Sequence, residues 1–326
     1  MALDPVAYKP YADPDDFIRE VTDLIWVNRA IGYIRENYEP DSIVHGALGT
    51  MIGRDEVIEG SLMRISATPD RVGQAADVVW EARGDDAFLS SHQVLSVDPD
   101  HDWTSKTIAN CLYRRGRMVE EWVVRDSLAI ALQQGQDPDE VARTLAYRGY
   151  SGSLTEPAPV DVTTAGDSGP RPDEHRGEVE MVLEFIARVW NGRDLEKVED
   201  FWIRDLVLET VGNRTVVRPE GYRRALLKLI RPFPAGQFEI RDVATNFAER
   251  YAGLRIAVTW KFSGHYTGTA DFGPLTGSPI DLLGISQFLI QDGRIVKELR
   301  LYDEIALRAQ IAARRGDTPY TAANIY

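Results

Sequence analysis

Two carboxylates close the same phrase 177 positions apart. Residues 115–126 run Arg-Gly-Arg-Met-Val-Glu-Glu-Trp-Val-Val-Arg-Asp; residues 292–303 run Asp-Gly-Arg-Ile-Val-Lys-Glu-Leu-Arg-Leu-Tyr-Asp. Gly116, Arg117, Val119, Glu121 and Asp126 recur as Gly293, Arg294, Val296, Glu298 and Asp303. Side chains alternate along a strand, so Met118, Glu120, Trp122, Val124 and Asp126 share one face. Ile295, Lys297, Leu299, Leu301 and Asp303 share the matching face. If that apolar face lines a pocket, its carboxylate is partly desolvated and its pKa rises. A carboxylate raised in this way is a better general base near neutral pH. Asp126 and Asp303 are therefore candidate catalytic bases. Each also precedes a short helix, where Asp is a favoured N-cap, and the two roles are compatible. Glu121 and Glu298 fall out of phase and read as a solvated face.

His92 and His265 follow Ser-Ser and Ser-Gly near strand ends, 173 positions apart. They are candidate acids, or orient a substrate oxygen; the alternative is a hairpin histidine bonded to backbone. Trp122 and Tyr302 suit an aromatic ligand, bringing area and a polar tip; Trp122 suits a core equally. Arg125 either binds an oxygen anion or pairs with Glu121 or Asp126. Tyr33, Tyr38, His45 and Trp260 complete the candidate binding set. No phosphate loop, Gly-x-Ser-x-Gly elbow or His-Glu-x-x-His occurs. The single cysteine, Cys111, sits in an apolar run and reads as a small buried hydrophobe, giving neither a disulfide framework nor a zinc site.

The elements that must hold these residues also come twice. The length of 326 residues suits two domains. Residues 151–177, rich in Ser, Thr, Gly and Pro, read as a linker between domains at 1–150 and 178–326. Each half opens with a helix, Phe17 to Ile34 behind Asp13 and Asp15 in the first and Val179 to Trp190 in the second. A short strand and turn follow. Arg54-Asp-Glu56 and Arg218-Pro-Glu220 then each open a further helix, with Pro219 at a first-turn position. Alternation next marks strands at 86–97, 106–114, 254–262 and 284–291. Short helices follow at Leu128–Gln133 and Ile305–Ala313, with a further one at Pro138–Tyr147. Helices first and an antiparallel run second make each half α+β, with helices on one face of a curved sheet.

The net charge of −14 argues against nucleic acid and against an anionic membrane surface. No apolar run approaches the ~18 residues that span a bilayer, and the N-terminus lacks a leader's basic and apolar regions. The expectation is a cytoplasmic protein.

The second half resembles the SnoaL-like polyketide cyclases of the NTF2-like superfamily. The carrying residues are His265-Tyr-Thr-Gly-Thr-Ala-Asp-Phe-Gly-Pro-Leu-Thr-Gly277, Gly284-Ile-Ser-Gln-Phe288, Asp292-Gly-Arg-Ile-Val-Lys-Glu298 and Tyr302-Asp303. The first half is similar at Ser90-Ser-His92, Ile108-Ala-Asn-Cys111, Arg115 to Trp122, and Arg125-Asp126. It lacks the Pro-Thr-Gly hairpin, and the second half has Leu299 where the first keeps Trp122. The resemblance implies two tandem cones, each a curved sheet wrapped by helices around a deep pocket. It implies a sheet-to-sheet pseudo-dimer within the chain and leaves further homo-oligomers open. It also implies that the terminal aspartate removes a proton alpha to a carbonyl, with no metal or organic cofactor.

Two functions are compatible with these residues. One is a cofactor-independent enzyme, in which a pocket Asp, with His, acts on a small, largely apolar, oxygenated or aromatic substrate. Cyclase or aldol, isomerase, dehydratase and carbon–carbon lyase chemistry all occur on this scaffold, including deformylation of lignin-derived aryl-propane dimers. The other is a non-catalytic ligand-binding or dimerisation module, since fold does not fix function.

Overall fold

The computed structural model describes residues 3–147 and 174–313. They form two α+β units of one design. In the first, α1 (Pro14–Trp26) and α2 (Gly32–Asn37) precede β1 (Tyr38–Gly46), β2 (Gly49–Ile52) and α3 (Arg54–Ala67). Four strands follow, β3 (Val72–Ala82), β4 (Ala87–Asp98), β5 (Trp103–Arg114) and β6 (Arg117–Arg125), then α4 (Ser127–Gln133) and α5 (Pro138–Tyr147). In the second, α6 (Arg176–Phe185) continues as a π-helical stretch, Ile186–Asn191, to α7 (Val198–Phe201), β7 (Trp202–Thr210), β8 (Arg214–Val217) and α8 (Arg218–Ile230). It closes with β9 (Gln237–Ala248), β10 (Gly253–His265), β11 (Pro279–Gln291), β12 (Arg294–Tyr302) and α9 (Glu304–Ala313).

The sheet orders match: β2-β1-β6-β5-β4-β3 and β8-β7-β12-β11-β10-β9. The pairs β1–β6 and β7–β12 are parallel. The sheets are therefore mixed, not the wholly antiparallel runs that alternation suggests.

Local chemistry explains the repeats. Asp13 caps α1 by accepting the Asp16 N–H at 2.9 Å, and Pro14 opens its first turn. The apolar spacing up to Ile34 reads as one helix, but the chain breaks it after Trp26. Arg29 sits at φ 59° and its guanidinium donates to the carbonyls of Trp26 (2.6 Å), Pro69 (2.8 Å) and Arg71. Arg193, at φ 61°, repeats the brace on Trp190, Gly236 and Phe233. The repeated phrase itself is a hairpin. Arg115-Gly116 and Asp292-Gly293 each place two residues at positive φ, as a type I′ turn requires.

Each sheet is buried on both faces. In the first unit, the helix-covered face packs around Phe17, Val21, Val78, Phe88 and Tyr113. The other face meets the second sheet. Ile108, Trp122, Val124 and Leu128 join the second unit's core, and Val79, Leu89 and Leu112 pack on Ala244 and Ala257. Gln287 Nε2 donates to the Ser91 carbonyl (2.9 Å), Gln93 Nε2 to Gln287 Oε1 (2.6 Å) and Thr245 to Glu81 (2.6 Å). Arg250 and Arg255 both pair with Asp77. Two halves thus dock sheet to sheet within one chain. Most of the linker expected at 151–177 lies outside the described residues, and α6 already begins at Arg176. No described helix is long and apolar enough to cross a membrane.

Candidate functional site

The first unit encloses a cavity between its sheet and its helices. Alternation sets the sheet wall: His92, Val94 and Ser96 from β4, Thr107, Ala109 and Cys111 from β5, Glu121, Val123 and Arg125 from β6. Helix spacing sets the roof, with Ile18, Val21, Thr22 and Ile25 from one face of α1 and Val57, Ser61 and Arg64 from α3. Arg71, Trp26, Tyr38, Ile34 and Val44 also line it. The space between these residues, open mouth included, is about 850 Å³.

Charge is concentrated here. Burial pulls the Arg64 guanidinium well below its usual pKa, and Arg125 and Arg71 add to the pull. Burial likewise lowers Arg71, to about 10, with Arg125 and Arg29 contributing. Burial lowers Arg125 too, opposed by Glu121 and Asp303. Guanidinium groups stay protonated in proteins, so these shifts measure crowding rather than loss of charge. Burial raises Glu121, against the counter-pull of Arg125 and Arg64. Burial, then the charge of Arg19, holds His92 at about 4, so its imidazole is neutral at pH 7. Its Nδ1 lies 3.5 Å from Ser90 Oγ. Burial pushes the Cys111 thiol up, which leaves it an inert wall atom.

The second unit fills the same space. Strand pairing gives the equivalences directly. Glu121 faces Cys111, which faces Ser90; Glu298 faces Phe288, which faces Ile256. Continuing along the strands, Val94 corresponds to Trp260, Ser96 to Phe262, Cys111 to Phe288, Val123 to Arg300 and Arg125 to Tyr302. Every one of these exchanges replaces a smaller or charged lining residue by a side chain that occupies the interior. A closed polar network locks them. Glu298 accepts from Arg300 Nε (2.9 Å), Tyr222 Oη (2.8 Å) and Ser286 Oγ (2.9 Å), and Ser286 accepts from Trp260 Nε1 (3.2 Å). Arg300 lies 4.9 Å from the rings of both Trp190 and Tyr222. Gly284 is required beneath this plug, since a Cβ there would fall 2.1 Å from the Trp260 ring.

Of the expected residues, the cavity gathers His92, Arg125 and Tyr38. Tyr33 packs on the same core outside the lining. Asp126 is corrected: it faces the seam between the units, not the cavity. Its carboxylate accepts the N–H groups of Ala129 (3.1 Å), Gly212 (2.8 Å) and Asn213 (3.0 Å). Burial raises its pKa, and these bonds oppose the rise. Asp303 caps α9 through Ala306 (3.0 Å) and accepts from Ser127 Oγ across the seam (2.6 Å); burial pushes it up to about 6. Trp122 and His45 are corrected likewise. They stack at 5.3 Å on the seam face, where His45 Nε2 meets Glu120 Oε1 at 2.7 Å. Trp260 and Tyr302 are core residues of the second unit. His265 is exposed at the end of β10, and the strand equivalent of His92 is Val258. The solvated face expected for Glu121 and Glu298 is corrected too, because Glu121 lines the cavity and Glu298 is fully buried.

The physical cause is a bulge. Pairing between β5 and β6 shifts register between Leu112 and Tyr113, so Met118 and Glu120 fall on opposite faces. A strict period of two carries the wrong face forward to Asp126. The face of Glu121 is misread in this way, and Arg64 and Arg71 are missed. Arg64 follows Val57 and Ser61 at helical spacing, a signal masked by the polar residues around it.

Residues 180–311 match the family model of SnoaL-like polyketide cyclase. A comparison with curated proteins found no match. Among solved structures, the chain is similar to a protein assigned as a SnoaL-like polyketide cyclase from Jannaschia sp. CCS1 (18% identity, 44% of this chain and 97% of that one, TM-score 0.38). It is also similar to a protein assigned as a polyketide cyclase from Acidithiobacillus ferrooxidans (20%, 42% and 95%, 0.36). A third is AclR from Streptomyces galilaeus, assigned as a hydroxylase (19%, 45% and 89%, 0.36).

Proposed function

Residues 180–311 being a SnoaL-like domain, and the first half repeating its elements, we propose that the protein is a cofactor-independent acid–base enzyme whose working site is the first-half cavity. The observation that carries this is the set of Glu121, His92 and three guanidinium groups lining one cavity beside an apolar wall. The substrate class is a small, largely apolar, oxygenated or aromatic carbonyl compound.

Glu121 is the base. Its carboxylate takes a proton from the carbon alpha to the carbonyl, and the C–H electron pair moves onto the carbonyl oxygen as an enolate. Raising the carboxyl by burial brings its basicity closer to what this step needs. A guanidinium stabilises the oxygen charge as it develops. Neutral His92, with a conjugate acid near 4, is a weak base and serves as a hydrogen-bonding group that orients the substrate oxygen. Aldol cyclisation, isomerisation, dehydration and carbon–carbon cleavage, such as deformylation of an aryl-propane dimer, are routes onward from or back through such an enolate. The second half is a docking partner with a filled interior.

Deuterium wash-in at the alpha carbon tests the proposal. Aryl-substituted β-keto esters, with and without a ring carboxylate, are followed by NMR with buffer exchange subtracted. Enzyme-dependent exchange is expected, falling roughly 10²–10⁴-fold in Glu121→Gln. Binding without any exchange across the panel points instead to a non-catalytic binding module.

A further inference from the structure

We propose that the first-half cavity is built for an organic anion: an apolar molecule whose carboxylate head is gripped by Arg64, Arg71 and Arg125. The inference rests on the reading that this cavity is the site, and it adds the substrate's charge.

Buried arginines normally bring their counter-charges with them. The fully buried arginines here do so: Arg300 is paired with Glu298, Arg83 with Glu81 and Asp242, and Arg255 with Asp77. Arg64, Arg71 and Arg125 are half-buried, at the cavity wall. Among the described residues, Arg64, Arg71 and Arg125 make no ion pair within 4.0 Å and donate no side-chain hydrogen bond. Three positive charges share one chamber with a single carboxylate, Glu121, and His92 adds no charge at pH 7. The local excess is positive inside a chain whose net charge is −14.

The guanidinium groups are also held in place. Trp26, itself part of the cavity wall, lies under two of the forks, at 5.9 Å from Arg64 and 5.2 Å from Arg71. The backbone of Arg71 is tied to the end of α1, because Arg29 donates to its carbonyl as well as to those of Trp26 and Pro69. Arg125 sits at the end of β6, where the charge of Asp303 reaches it from the second unit. Planar forks match the two oxygens of a carboxylate. The remaining wall, including Ile18, Val21, Ile34, Val44 and Val57, suits a hydrocarbon or aromatic body.

The comparison within the chain is informative. Ten residues into α8, the position of Arg64 in α3 is held by Lys228, which pairs with Glu304 at 3.4 Å. The position of Arg125 is held by Tyr302. Where the second half has a filled interior, two of these three positions carry no uncompensated cation.

Titration calorimetry with 2-naphthoate, neutral 2-naphthamide and inorganic phosphate tests this on the full chain. Naphthoate is expected to bind at least tenfold more tightly than the amide. In Arg71→Lys, which keeps the charge and loses the fork, the ratio should fall several-fold; in an Arg71→Met/Arg125→Met double variant, naphthoate and amide should bind within about twofold of each other. The double variant should melt no lower than the native protein, whereas arginines serving only the fold would lower its Tm. Equal binding of naphthoate and amide by the native protein overturns the inference without any variant. So does phosphate displacing naphthoate at equal concentration, because it would show a site for a small anion alone. Naphthoate preference without α-proton exchange would sink the enzyme and leave the anion site standing. Exchange on neutral esters with no carboxylate preference would do the reverse.

Discussion

Arg125 and Tyr302 occupy the same place in two sheets: Arg125 faces Thr107 across β5, and Tyr302 faces Gly284 across β11. One unit has a cation at the rim of a cavity there, and the other has a buried ring. Around Tyr302, Trp260, Phe262, Phe288 and Arg300 stand where the first unit has Val94, Ser96, Cys111 and Val123. The two units use the same frame differently, one around a chamber and the other around a core. That core reaches across the seam to Trp122 and Val124, so the filled unit supports the hollow one.

The equivalence makes the cavity pluggable. Val94→Trp alone would drive an indole into Thr107, because Trp260 is accommodated only above Gly284. Val94→Trp with Thr107→Gly restores that arrangement. The double variant is expected to lose naphthoate binding altogether while keeping the native circular dichroism spectrum. Binding unchanged in a folded double variant would place the site elsewhere.

Asp126 should prove structural. Asparagine has one acceptor oxygen where the carboxylate uses both, on Gly212, Asn213 and Ala129. Its amide N–H would face a backbone donor. Asp126→Asn is expected to cost about 2–4 kcal/mol in urea unfolding, from hydrogen bonds lost at a buried group. Exchange rate per folded molecule should stay within about twofold. A large rate loss with intact stability would return Asp126 to the catalytic role.

Most of the architecture was legible before the structure, because helix caps, hairpin turns and alternation are local signals. Asp13, Pro219, Gly116 and Gly293 each act where their chemistry places them. Strands β3 and β9 do not stand out as alternating runs, since a bulge breaks the period in each, between Ala75 and Asp77 and between Ile240 and Asp242. The site was legible only in part. Both faces of β6 are buried, so an apolar face does not identify the cavity side, and the bulge after Met118 reverses the count. His265 looked like a second His92 because both follow serine near a strand end, but only pairing partners reveal that Val258 holds the equivalent position. The plug is a relation among β10, β11 and β12, and no single segment carries it.

Asp303 gives a pH signature. Its folded pKa of about 6 exceeds the unfolded value of about 3.9. The folded state therefore binds this proton more tightly, and the stability it contributes is present below pH ~4 and lost as pH rises through about 6. The loss is about 3 kcal/mol at most, two units at roughly 1.4 each. In Asp303→Asn, the amide oxygen can keep the Ala306 bond and the amide N–H can donate to Ser127. The variant should be more stable than the native protein at pH 8, with the advantage vanishing near pH 4. His92 has the opposite slope, its folded pKa of about 4 lying below about 6.5, so it destabilises the fold as pH falls from 6.5 to 4. Comparing native and variant at each pH cancels that contribution. A variant less stable at pH 8 than the native protein would refute the assignment.

The two glutamates of the repeated phrase provide the sharpest contrast. Glu298 is bonded to Arg300, Tyr222 and Ser286 inside the plug, and removing its charge leaves Arg300 buried and uncompensated. Glu298→Gln is expected to cost about 3–5 kcal/mol, the range for breaking a buried pair. Glu121 is instead a carboxyl whose ionised form burial disfavours, so its contribution to stability also falls as pH rises through its raised pKa. Glu121→Gln should leave stability at pH 8 unchanged or higher while lowering exchange. Urea unfolding of both variants, beside the wash-in assay, separates the cases. If both substitutions destabilise equally, the two units have not divided their labour, and Glu121 is a core residue like its counterpart.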